Sequence, residues 1–326
     1  MVAKQYSSGS GRLTPVLDAL VFFARYGRFM LVAGLVAGLA LPNMAMALRP
    51  WLSELVLLLL FLTAFRVGFP QVIEGLRHLR SSIGLVLVYQ LALPLTCIAI
   101  FSAFGLAQSP VAIAVTLMLA APSVTGNPNL AVMLGHAPDM PFRLLILGTL
   151  ILPATIIPIF WLSPALGGLS DAIHAALRLC LSIAMAICLA FVLRAIVRPK
   201  MRPKETHALD GLTTLAFAVI VVGLMSAVAP ALAAEPWTLA GWMCVAFGAN
   251  LGLQALAFLT LRRIGFRETA APIALVAGNR NVALFLVASN ATQTEEFLMF
   301  LGCYQFPMYL TPVIMRPFFG RKKSCA

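Results

Sequence analysis

The 326-residue chain is 61% hydrophobic and only 10% charged, with a mean hydropathy of +0.96, where a soluble domain carries about 25% charged residues. One soluble core of this size cannot hide so much apolar surface, so the chain reads as an all-α integral membrane protein whose solvent is lipid. Its net charge of +12 calls for no nucleic-acid partner, because cytoplasmic loops of membrane proteins collect Lys and Arg.

The opening residues MVAKQYSSGSGRLTP contain no apolar core before a small-residue cleavage site, unlike a signal peptide. Residues 15–25, PVLDALVFFAR, suit a short interfacial helix. A spanning helix needs roughly 20 apolar residues, and ten such runs follow: about 28–46, 51–69, 82–106, 110–135, 140–162, 172–197, 209–229, 237–261, 269–289 and 294–318. With the N-terminus inside, alternate connections hold 19 of the 23 basic residues, and the outside loops hold Arg49 alone. Arg66, Arg178 and Arg280 fall within spans. That asymmetry puts both termini on the cytoplasmic side of the cell membrane.

The ten runs divide as five plus five. Gly126-Asn127-Pro128-Asn129 in span four matches Gly278-Asn279-Arg280-Asn281 in span nine, and Pro153 and Pro158 in span five match Pro307 and Pro312 in span ten. Because five is odd, the second half enters from the opposite side, an inverted repeat of the kind many transporters use. The organisation is then a cytoplasmic segment 1–27, a first repeat 28–162, an inverted repeat 163–318 and a basic tail 319–326.

Residues 122–129, PSVTGNPN, combine two prolines, a glycine and four polar side chains. Proline removes an intrahelical hydrogen bond and glycine favours non-helical angles, so spans four and nine are expected to break where they cross. Freed backbone groups are tolerated at membrane depth only against protein or a wet cavity. Carbonyls and Asn oxygens suit a hard cation, and amides at a helix start suit an anion. Asn127, Asn129, Asn279 and Asn281 therefore mark a substrate or coupling site, and can also cap each other's broken ends.

On these motifs the sequence resembles the bile acid:sodium symporter family, which implies ten spans in two inverted halves with spans four and nine broken and crossing. Gln90, four residues before Pro94, is similar to a family Gln that helps ligate sodium. Thr125 matches a substrate-facing Thr, Asn127 or Asn129 matches the family's sodium-binding Ser-Asn pair, and Asn281 matches an Asn that faces substrate. In span nine the family's sodium-binding Glu and Gln are replaced by Val276 and Arg280. The cation-site positions are thus Gln90, Asn127, Asn129, Val276 and Arg280, and the substrate-facing ones Thr125, Asn127, Asn129, Asn279, Arg280 and Asn281.

Losing a carboxylate and gaining a guanidinium argues against bound sodium, so no cofactor is expected. Arg280 can stand in for the ion, clamp a carboxylate or sulfonate in a bidentate fork, or snorkel into a cavity. The deep parts of the spans hold no Asp or Glu for proton coupling. The expected function is carriage of a small organic anion by alternating access. Sodium-coupled symport with altered ligands and a membrane ligand sensor stand as alternatives, and an arsenite carrier would place Cys in span four, which has none.

The sequence has no GxSxG, HExxH or P-loop, so no enzyme is expected. Asn250 and Gln254 share a face of span eight, as helix-to-helix glue or as ligands. Gly34-x-x-x-Gly38 and Gly248-x-x-x-Gly252 are expected to pack closely. Tyr304, Gln305 and Tyr309 are candidates to line a cavity, and Arg66 is expected to snorkel to the inner interface. The six cysteines form no CxxC pair and read as small buried hydrophobes.

Overall fold

The computed structural model describes residues 14–69, 79–163, 169–198, 201–288 and 294–319. The N-terminal residues 1–13, the basic tail from 320, Arg77, Lys200 and Cys325 lie outside the described residues. Within them the protein is helical, and the sole β-type pairing is an isolated antiparallel bridge between Ser123 and Arg280.

Among the described residues seven helices are long and apolar enough to cross a membrane: Pro42–Val67, Ser82–Ala103, Asp139–Leu162, Ser170–Val197, Pro203–Ala234, Pro236–Arg263 and Glu295–Ile314. An eighth results if Pro15–Arg25 and Phe29–Ala40, bent by 84°, form one span. The runs near 110–135 and 269–289 are absent from this set because each is interrupted.

We label the helices α1 (Thr14–Arg25), α2 (Gly27–Ala40), α3 (Pro42–Leu48), α4 (Leu52–Val67), α5 (Leu79–Leu87), α6 (Leu93–Ala103), α7 (Pro110–Ala120), α8 (Asn127–Met133), α9 (Asp139–Leu162), α10 (Leu169–Val197), α11 (Pro203–Leu224), α12 (Val228–Ala234), α13 (Pro236–Arg263), α14 (Ala270–Gly278), α15 (Glu295–Ile314) and α16 (Arg316–Phe319).

Local chemistry explains the interruptions. The Ser109 side chain caps α7 by accepting from Ala112 N at 3.2 Å, with Pro110 at the first helical position. The helix ends at Ala121 because a residue before proline is driven out of helical angles. Pro128 then sits near the start of α8, where its missing N–H costs nothing. Between α5 and α6, Val88–Ala92 widens into a π-helical turn. Pro94 cannot donate to the Gln90 carbonyl, and Leu93 N reaches back to Val88 O instead. That turn buries Tyr89 and Gln90.

The interior packs Leu117, Ile156, Phe285, Phe300 and Trp242 into one cluster. Along α10, Leu177, Leu181, Met185, Leu189, Val192 and Ile196 form an exposed apolar stripe, which suits a lipid solvent. The two small-residue motifs part ways. Gly34 and Gly38 lie against Ala218 and Met225, whereas Gly248 and Gly252 have open space where a Cβ would be. Only the first pair packs closely, because only it faces another helix backbone. Of the described cysteines, Cys97 and Cys303 are buried, while Cys188 and Cys244 are exposed. The expectation of buried thiols is corrected there: those two sit on outward helix faces.

Candidate functional site at two helix breaks

The two breaks meet. Asn281 N donates to Pro122 O at 2.8 Å and Val124 N to Asn279 O at 3.1 Å, flanking the Ser123–Arg280 bridge. Backbone groups released by the interruptions thus satisfy one another, as an apolar interior demands. The pairing is antiparallel, so the two chains run in opposite directions where they cross. Asn127 reinforces it, its Nδ2 donating to Ser123 Oγ at 2.8 Å and to Asn279 O at 2.9 Å.

Arg280 is only 2% exposed. Its Nε donates to Ala277 O at 2.9 Å and its Nη1 to Ala121 O at 3.0 Å. Ala121 ends α7 and Ala277 lies in the last turn of α14, so the guanidinium bridges two helix C-termini. Both carry the partial negative charge of aligned peptide dipoles. The Tyr89 ring lies 4.9 Å from the guanidinium carbon and adds a cation–π contact. Among the described residues no carboxylate pairs with Arg280. Among the described residues its Nη2 and Gln90 Oε1 have no hydrogen-bond partner, and both residues line a cavity of about 10 Å³ with Ser123 and Val276.

Two of the positions matched to the family's sodium ligands, Val276 and Arg280, offer no side-chain oxygen here. Val276 packs with Val86, Tyr89 and Leu144, and the guanidinium already claims the carbonyls.

A buried amide network braces the same break from behind. Asn250 Nδ2 donates to Gly278 O at 2.8 Å and Asn279 Oδ1 at 3.0 Å, and Gln254 Nε2 donates to Asn250 Oδ1 at 2.7 Å and Thr311 Oγ1 at 3.1 Å. The Tyr304 hydroxyl accepts from Arg280 N at 2.9 Å and donates to Gly278 O, tying the two sides of the break together. Gly278 is obligatory by space alone, since a Cβ there would lie 2.2 Å from Asn250 O.

On one side of the crossing lies an open cavity of about 670 Å³, within the range of small-molecule sites. Thr125, Gly126, Pro128 and Asn129 border it at the break. Leu31, Leu59, Phe142, Leu145, Phe217 and Met308 supply apolar wall, while Arg25, Arg66 and Asp210 supply charge beside His207.

The structure therefore divides the residues singled out in the sequence. Thr125 and Asn129 line the large cavity, whereas Gln90, Asn127, Val276, Asn279 and Arg280 are buried in the crossing, and Asn281 joins through its backbone amide. Tyr309 lines the cavity, but Tyr304 and Gln305 do not. Asp210 escaped the sequence reading because it stands at the first turns of a span; its one signal was the three-residue spacing from His207. The chain matches no protein-family model and no curated protein.

Proposed function

We propose that the chain is a secondary transporter for a small organic anion, a divergent relative of the bile acid:sodium symporters in which Arg280 replaces the bound cation. In this reading the chain crosses the cell membrane ten times in two inverted halves, with both termini cytoplasmic. The count is reached by adding the bent pair and the two interrupted segments to the seven long helices.

The observation that carries the proposal is the position of the Arg280 guanidinium. It lies between the C-terminal carbonyls of α7 and α14, where it supplies the positive charge that a cation would bring. Because the charge is covalently attached, it never leaves, and carriage needs no sodium gradient. The antiparallel pairing of the breaks and the 670 Å³ cavity beside them support alternating access around this point. Thr125 and Asn129 are the break residues that a ligand in the cavity meets.

The test is uptake of a panel of organic anions into proteoliposomes, with and without a sodium gradient. Equal uptake in both conditions is expected, and sodium stimulation would overturn the reading. Arg280→Gln is expected to lower uptake at least about tenfold, because a neutral amide cannot supply charge to two helix ends. Unchanged uptake would reduce Arg280 to a scaffold residue.

A further inference from the structure

Arg280 is sealed behind the crossing and does not line the large cavity, so some other group must meet the charge of an anion there. We infer that Arg66 is the anion-capturing group and that Asp210 is its built-in competitor, an inference that rests on the anion-transporter reading above.

Sorting the polar groups of the cavity leads to that pair. The hydroxyls of Thr63, Thr213 and Thr214 are spent on Leu59, Leu209 and Asp210 carbonyls, each at 2.8 Å. Thr125 and Asn129 add neutral polar groups to the lining, and the Tyr309 hydroxyl is buried without a partner among the described residues. Formal charge is confined to Arg25, Arg66 and Asp210, with His207 beside them. Arg25 stacks over Tyr26, with 6.0 Å from its guanidinium carbon to the ring centre.

Arg66 is fixed from behind. Arg194 Nη1 donates to Phe65 O at 2.6 Å and to Arg66 O, which closes the end of α4. Gly68 turns the chain there with φ of +73°, and the Arg194 guanidinium fills the space a Cβ would need. Arg194 is thereby occupied, while Arg66 lines the cavity.

Asp210 pairs with the Arg66 guanidinium through one hydrogen bond, from Nη2 to Oδ2 at 3.3 Å, with Nε in close ionic contact with Oδ1. A ligand carboxylate or sulfonate offers the guanidinium the same charge and acceptor oxygens, with room for a second hydrogen bond to Nε, so it can take the place of Asp210. The pair's side chains are 35% and 28% exposed, wet enough to exchange and enclosed enough for charge to matter. The neighbouring charges do not substitute. Lys204 pairs with Asp18 at 2.6 Å, Glu205 lies 3.6 Å from Arg198, and His207 Nδ1 stands 3.9 Å from Asp210. Among the described residues Asp210 is the single carboxylate lining the cavity. The ligand class is an anion with an apolar body, its charged end on Arg66 and its body against the apolar wall.

The experiment is isothermal titration of the full chain in lipid nanodiscs with 3-phenylpropionate and with its uncharged amide, 3-phenylpropionamide. The carboxylate is expected to bind more tightly than the amide. Asp210→Asn is expected to tighten carboxylate binding about fivefold, by removing the competing charge, and to leave the amide unchanged. Arg66→Gln is expected to erase the preference, and Arg66→Lys to keep part of it. Carboxylate binding that is unchanged or weaker in Asp210→Asn overturns the inference. So does a preference that survives Arg66→Gln, or no carboxylate binding to either wild type or Asp210→Asn. Sodium-stimulated uptake would overturn the Arg280 reading alone, and binding without uptake would overturn carriage alone.

Discussion

Arg280 and Arg66 are both arginines within helical spans, yet the structure uses them in opposite ways. Arg280 meets backbone carbonyls at two helix ends, which are fixed in place and cannot be withdrawn. Arg66 meets the side chain of Asp210 at the edge of an open cavity, a partner that a rotamer change removes. The partner decides the role: a charge held by backbone becomes part of the scaffold, and a charge held by a carboxylate remains exchangeable. Burial sharpens the contrast, because weakening an interaction in low dielectric costs far more than weakening one that water can replace.

The largest effect is expected from Arg280→Ala. It leaves Ala121 O and Ala277 O without their donors and opens a void beneath Tyr89. A loss of about 3 kcal/mol or more is expected, read as a lowered thermal midpoint of the purified protein. Sodium chloride, compared with choline chloride, is expected to recover part of that loss in the variant and to do nothing for wild type. If Arg280→Ala melts like wild type, the contrast between the two arginines collapses.

Tyr304→Phe comes next. Its hydroxyl serves Arg280 N and Gly278 O together, both buried where water cannot replace it. A cost of about 1–3 kcal/mol is expected, again by thermal midpoint. An unaffected midpoint would mean that the Asn250 network, Asn127 and the paired backbone hold the break without the Tyr304 hydroxyl.

These roles were unequally visible in the sequence. Gly and Asn at 126–129 and 278–281, with Pro122 and Pro128 in the first copy, announce helix breaks because their backbone preferences act locally; the structure interrupts the segments at 121–126, just before the first Asn pair, and after Gly278. The destination of the Arg280 side chain was not legible. It turns back three residues to its own helix end, and only the crossing supplies Ala121 O. Arg66 read as an interfacial residue because its partner is 144 positions away on another helix. The glycine pairs teach the same lesson: identical spacing at 34/38 and 248/252 meets a helix in one case and open space in the other. Residue chemistry tells which groups need partners, while tertiary contact determines who those partners are.

The smallest effect on stability is expected at Asp210. Its ion pair with Arg66 is about one-third exposed on both sides, and such pairs contribute no more than about 1 kcal/mol once solvent screening is counted. Asp210→Asn should therefore lower the thermal midpoint slightly at low ionic strength. The difference should shrink as salt is raised, since the Debye length falls to about 3 Å at 1 M. The defect of Tyr304→Phe, which loses sheltered hydrogen bonds to uncharged groups, should persist across the same series. A loss in Asp210→Asn that matched Tyr304→Phe and ignored salt would make Asp210 as much a scaffold element as the carbonyls around Arg280. The two arginines would then differ only in depth, and Arg66 would no longer be the exchangeable one.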